Sequence, residues 1–136
     1  MQLRNNLYTV IQKEVDGLKG RFTLVLNPSC FIYQAHFPGE PITPGVCTVQ
    51  MGQELLENLL EETLQKKVEL EIRKVKNVKF LSVITPTETA VIAYQMKQVE
   101  MSEDGSEVKA QIVVTSSDEV KVKISLVLSM KCQTWN

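Results

Sequence analysis

Apolar positions alternate with polar ones in several stretches of this chain and recur at helical spacing in one. Leu7 to Val15 (LYTVIQKEV) is rich in β-branched and aromatic residues. Asp16-Gly17 and Lys19-Gly20 then supply turn chemistry, and Phe22, Leu24 and Leu26 alternate with Arg21, Thr23 and Val25. The two runs predict a pair of strands joined by a short connection. Asn27-Pro28 stops the second strand. The segment that follows is dense in turn formers: Pro38, Gly39, Pro41, Pro44 and Gly45.

From Val46 to about Leu64 there is no proline, and the period changes. Val46, Val49, Leu55, Leu56, Leu59, Leu60 and Leu64 spread over a broad apolar surface, whereas Gln50, Glu54, Glu57 and Glu61 share a narrow stripe at about 100° per residue. The pattern predicts one long helix, apolar around most of its circumference and therefore wrapped by other structure. Lys66 and Lys67 are placed to suit the negative end of its dipole.

Only strand-like runs come after the helix: Val68 to Ser82, Ala90 to Glu100, Glu107 to Thr115 and Val120 to Met130. Glu103-Asp104-Gly105 and Ser116-Ser117-Asp118 provide turns between the last three. Val120, Val122, Ile124, Leu126 and Leu128 keep strict alternation, as a strand with one face in a core must. The order is two strands, one buried helix and four strands. An antiparallel sheet wrapped around a single helix buries both, which predicts an α+β fold in a single domain over residues 1–136.

Composition narrows the function classes. With 43% apolar and 23% charged residues the chain is an ordinary globular protein, and a net charge of −1 gives no general attraction to nucleic acid or an anionic membrane. Three cysteines, Cys30, Cys47 and Cys132, form no CxxC pair and read as small buried thiols. The first residues lack an apolar signal-peptide core, and no apolar run approaches the roughly 18 residues of a membrane span. A cytoplasmic protein is the expectation. Neither a metal-ligand cluster nor a GxGxxG fingerprint is present, so no cofactor is implied.

Chemistry concentrates in Ala35-His36-Phe37-Pro38-Gly39-Glu40-Pro41-Ile42-Thr43-Pro44-Gly45-Val46. His36 is the one side chain here that titrates near neutrality. It lies in a Pro/Gly loop just before a helix whose first N–H groups have no intrahelical acceptor. This stretch resembles the HFPGxPxxPG motif of the 3-hydroxyacyl-(acyl carrier protein) dehydratase family, with every fixed position present. Asn77-Val78-Lys79-Phe80 and Thr85-Pro86-Thr87-Glu88 extend the likeness more weakly. The resemblance implies a hotdog fold and the elimination of water from a 3-hydroxyacyl thioester. That reaction needs a base for the α-proton and hydrogen-bond donors for the thioester oxygen. His36 is the candidate base, the amides of Gly45 and Val46 are candidate donors, and Phe37 is a candidate substrate contact.

One departure stands out. The family's second catalytic group is a helix Glu or Asp, and the matching position is Gln50. Where the family usually carries a glutamine one turn later, this chain has Glu54. The pair is exchanged. A glutamine donates a hydrogen bond but delivers no proton, and one turn shifts a carboxylate about 5.4 Å along the axis. Glu54 is therefore a relocated acid working through water, a solvated member of the polar stripe, or a residue with a minor or indirect role. Arg73, Lys74, Lys76 and Lys79 form the one basic cluster, a candidate docking site for an acidic carrier protein or else an edge-protecting set. Three functions stay open: a working dehydratase, a weak or silent subunit that pairs with an active relative, and a hotdog thioesterase. The first two expect a homodimer or hotdog heterodimer, with Val68 to Ser82 as a candidate interface strand.

Overall fold

The computed structural model describes residues 2–35 and 39–133, of which 132 and 133 by backbone alone. Strands β1 (Tyr8–Asp16) and β2 (Lys19–Leu26) form a hairpin, followed by a short helix α1 (Phe31–Ala35) and the long helix α2 (Gly45–Leu64). Then come β3 (Lys67–Phe80), β4 (Val91–Met101), β5 (Glu107–Ser116) and β6 (Glu119–Gln133). The strands make one sheet in the order β1-β2-β4-β5-β6-β3, and all five pairings are antiparallel. The sheet curls around α2, the hotdog layout that the resemblance implied.

The core sits between the helix and the concave face of the sheet. Met51, Leu55, Leu56, Leu59 and Leu60 of α2 are all fully buried, against Phe22 and Leu24 of β2, Tyr94 of β4 and Val122 to Leu128 of β6. Alternation in β6 is preserved, with Val122, Ile124, Leu126 and Leu128 turned inward. Burying side chains of this size stabilises the fold by about 1.5–3 kcal/mol each before chain entropy is counted. Gly20 belongs to β2 rather than to the turn expected of it. A Cβ there would lie 2.8 Å from Leu59 Cδ1, so the glycine lets the helix approach the strand.

Helix α2 is apolar on its core side, but its polar stripe does not face open water. Glu57 accepts the Leu70 amide at 2.8 Å and Glu61 the Val68 amide at 3.1 Å, while Gln53 donates to the Leu70 carbonyl at 2.8 Å. These groups belong to the start of β3, which lies at a sheet edge. The helix thus supplies the partners that a neighbouring strand would otherwise provide. Burial pushes the Glu57 carboxyl above its usual range, partly offset by the Leu70 amide. The helix ends at Leu64, with Gln65 in the left-handed conformation closing it onto the Glu61 carbonyl. Lys66 and Lys67 therefore fall beyond the last turn, and Lys67 begins β3.

The chain before β1 was not anticipated as structure. Leu3 and Leu7 are buried in the core, and a tight turn joins them through bonds from the Asn6 and Leu7 amides to the Leu3 carbonyl. The segment 2–7 covers one side of α2. Cys30 is buried and Cys47 half-buried, with free thiols; burial pushes the Cys47 thiol up, which suits packing rather than reactivity. No helix among the described residues is long and apolar enough to cross a membrane.

Candidate active site

The motif loop runs from α1 into α2, and its two flanks are tied together. Tyr33 of α1 and Thr43, just ahead of the helix, share a buried hydroxyl–hydroxyl bond of 2.8 Å. The Thr43 amide donates to the Ile84 carbonyl at 2.8 Å, which pins the same point to the β3–β4 connection. Burial pushes the Tyr33 hydroxyl up to about 12, so it stays protonated as a hydrogen-bonding group. His36, Phe37 and Pro38 lie outside the described residues.

Pro44, in an extended conformation, is the N-cap of α2, and no side chain caps the helix. The amides of Gly45 and Val46 belong to the first turn, and among the described residues neither has an acceptor. These two residues face different spaces. Gly45 borders an apolar cavity of about 410 Å³ between the helix start and residues 80–84. A Cβ on Gly45 would lie 2.9 Å from Phe80 Cζ, so the missing side chain makes room for that ring. Val46, 76% exposed, borders a second groove of about 530 Å³ together with Val49, Gln50, Glu54, Ile72 and Val75. The exchanged pair lies in this second groove.

Glu54 is half-buried and well supplied with hydrogen-bond partners. Its Oε2 accepts the Leu3 amide at 2.8 Å and the Gln50 Nε2 at 3.1 Å. Its Oε1 accepts the Arg4 amide at 3.0 Å and the Tyr8 hydroxyl at 2.8 Å. Arg4 itself continues to Asn58 Oδ1 at 2.7 Å. Burial, followed by the adjacent Glu54 charge, raises the Tyr8 hydroxyl far above its ordinary value and keeps it a donor. Four donors thus satisfy the two carboxyl oxygens of Glu54.

The family of ApeI-like proteins, described as ApeI dehydratase, matches residues 12–119, from β1 to the β5–β6 turn. The chain belongs to the ApeI-like dehydratase family. Among curated relatives, the 3-hydroxyacyl-[acyl-carrier-protein] dehydratase FabZ of Wolbachia pipientis wMel is 32% identical over 85 residues, 61% of this chain and 57% of that protein. The FabZ of Fusobacterium nucleatum is 28% identical over 89 residues, 65% of this chain and 61% of that protein. The matched stretch therefore spans only about three-fifths of these relatives' length. The dehydratase heterocomplex ApeI:P from Xenorhabdus doucetiae superposes with a TM-score of 0.64 at 17% identity, covering 89% of this chain and 96% of that one. A hypothetical thioesterase with coenzyme A from Streptococcus pneumoniae reaches 0.66 at 10% identity, over 94% and 88%. At such identities the likeness shows the hotdog fold alone.

In this ApeI-like chain the four basic residues lie exposed on β3, spread along the strand. The register with β6 slips between Ile72 and Lys74 and again between Val75 and Asn77, so Arg73 and Lys76 are the extra residues of two bulges. Arg73 meets Glu71 at 3.4 Å and Ser129 at 3.1 Å; among the described residues Lys74, Lys76 and Lys79 have no ion pair. Sequence reasoning missed Arg4, Tyr8 and Tyr33. Tyr8 read only as part of a strand, and the four-residue spacing of Leu3 and Leu7 was the one signal that the N-terminal segment packs inward. Among the described residues no group of His, Cys, Asp and Glu is arranged to hold a metal.

Proposed function

We propose that the chain, acting as one domain in the cytoplasm, dehydrates a (3R)-3-hydroxyacyl thioester on acyl carrier protein to the trans-2-enoyl thioester. His36 takes the α-proton, and the amides of Gly45 and Val46 hydrogen-bond the thioester oxygen as negative charge gathers there. Phe37 contacts the acyl chain. Gln50 holds the 3-hydroxyl but has no proton to transfer. The proton gained by His36 therefore returns to the departing hydroxide, so that the C–O bond breaks and one water leaves.

The observation that carries this reading is the complete motif running straight into an uncapped helix start, with Gln50 in the groove beside Val46. Family membership and the FabZ relatives support it. The lysines of β3 offer a docking face for an acidic carrier. A second hotdog subunit fits the part of β3 beyond Leu70, where Val75 and Phe80 are exposed and the side chains of α2 no longer cap the edge. Replacing His36 by alanine tests the chemistry. Enoyl formation should fall about 10²–10⁴-fold, the usual cost of losing a general base. Unchanged turnover in this variant would refute the assignment.

A second reading has an observation of its own. Gln50 occupies the position of the family's acid, and Glu54 is committed to four donors. A subunit with weak activity alone could complete a site with an active relative or hold acyl chains without converting them. The dehydratase heterocomplex ApeI:P is the structural neighbour that fits this alternative.

A further inference from the structure

The exchanged pair has a consequence of its own, which rests on the reading of Gln50 as the hydroxyl-binding group. An ionised carboxylate only accepts hydrogen bonds, so contact with Glu54 Oε2 at 3.1 Å requires the Gln50 amide nitrogen, not its oxygen, on that side. The side chain cannot flip without setting two oxygens against each other. The carbonyl oxygen and the second N–H of Gln50 are thereby directed away from Glu54. On the other side, the same carboxylate holds the Leu3 and Arg4 amides and the Tyr8 hydroxyl. Leu3 and Tyr8 are fully buried, so the carboxylate is itself fixed by rigid structure.

We propose that Glu54 is a positioning residue that locks the Gln50 amide in one orientation and transmits the rigidity of the Leu3–Tyr8 segment to the active site. The family order, acid then glutamine, and the order here, glutamine then acid, both set an amide and a carboxyl one helical turn apart, and in this chain the two are hydrogen-bonded. In this chain the polarity is reversed, and the group facing substrate is the neutral one. Glu54 acts through Gln50 and does not touch substrate.

The test combines proton exchange with a double-mutant cycle on the intact protein. In Glu54→Ala, the Gln50 side-chain amide protons and the backbone amides of Leu3 and Arg4, followed by NMR, should exchange at least about 10-fold faster, as expected for losing bonds to a charged acceptor. The same variant should lower kcat about 10–100-fold with KM little changed, the pattern of a misplaced group rather than lost binding. Tyr8→Phe removes one donor but leaves the Gln50 bond, so it should keep most of kcat. Gln50→Glu sets two carboxylates at hydrogen-bond distance, where like charge raises the pKa of the pair. Its activity should hold at low pH and decline as pH rises through that value. The exchange Gln50→Glu with Glu54→Gln should then restore kcat to wild type or above, a strong departure from additivity.

A merely structural Glu54 predicts the opposite: the double variant would show the product of the two single losses, with no new pH dependence. Unchanged exchange of the Gln50 amide in Glu54→Ala would overturn the lock directly. A wild type without turnover would overturn the reading of the groove instead, and the exchange measurement would decide the lock on its own.

Discussion

The polar stripe of α2 carries acids at both ends, and the two ends do different work. Toward the C-terminus, Glu57 and Glu61 each accept one backbone amide from the start of β3 and close a sheet edge. Toward the N-terminus, Glu54 accepts four donors, and one of them is the side chain standing where the family keeps its acid. Residue type and spacing are alike in the two regions. What separates them is the partners: the backbone of β3 in one case, and in the other the N-terminal segment together with the Gln50 side-chain amide. Helical periodicity alone could not tell an acid that closes a sheet edge from one that gathers the N-terminal segment and Gln50.

Breaking the structural end should have the larger effect on stability. Glu57→Ala or Glu61→Ala leaves an edge amide without its charged acceptor. Each should cost about 1–3 kcal/mol in denaturant unfolding, while kcat per folded molecule stays near wild type. A matching fall in kcat would erase the distinction between the two ends.

A smaller effect is expected from the lysines of β3. Reversing the charges of Lys74 and Lys76 should slow association with an acidic carrier protein and flatten its salt dependence, because exposed charges act mainly on encounter. Turnover of a small carrier-free thioester should be unaltered. Equal losses on both substrates would mean that the bulged strand has been damaged.

The smallest effect belongs to the β4–β5 turn, a control far from α2. The Ser106 amide, with the hydroxyls of Ser102 and Ser106, holds the exposed Asp104 carboxyl down at about 2. A depressed carboxyl stabilises the fold above its unfolded value, near 4, and loses that contribution as pH falls toward 2. The stability gap between wild type and Asp104→Asn should therefore be flat from about pH 5 to 8 and close below it. Thermal unfolding across pH checks this. A gap that widened in acid would contradict the assignment.

Much of this molecule was legible in its residues. Period-two alternation located β2 and β6, strand-like runs between turn signals located the other strands, and the switch to a 3.6-residue period located α2, because one-sided burial imposes those periods directly. The motif marked the candidate site because proline and glycine fix a backbone path at set spacing. Side-chain partners were harder to read. The bonds from Leu3, Arg4 and Tyr8 to Glu54 join residues about fifty positions apart, and no local pattern records them. Gly20 and Gly45 also looked like turn or substrate glycines until their neighbours, Leu59 and Phe80, were in view. His36 and Phe37 stand on the motif alone.

The central claim is that this chain turns over substrate without help from another kind of subunit. Purified wild-type protein, incubated alone with a (3R)-3-hydroxyacyl carrier and followed for the conjugated enoyl thioester, tests it most directly. Steady enoyl formation by the wild type is expected, falling about 10²–10⁴-fold in His36→Ala. No product from the wild type alone, with turnover appearing once a second hotdog subunit is added, would contradict it.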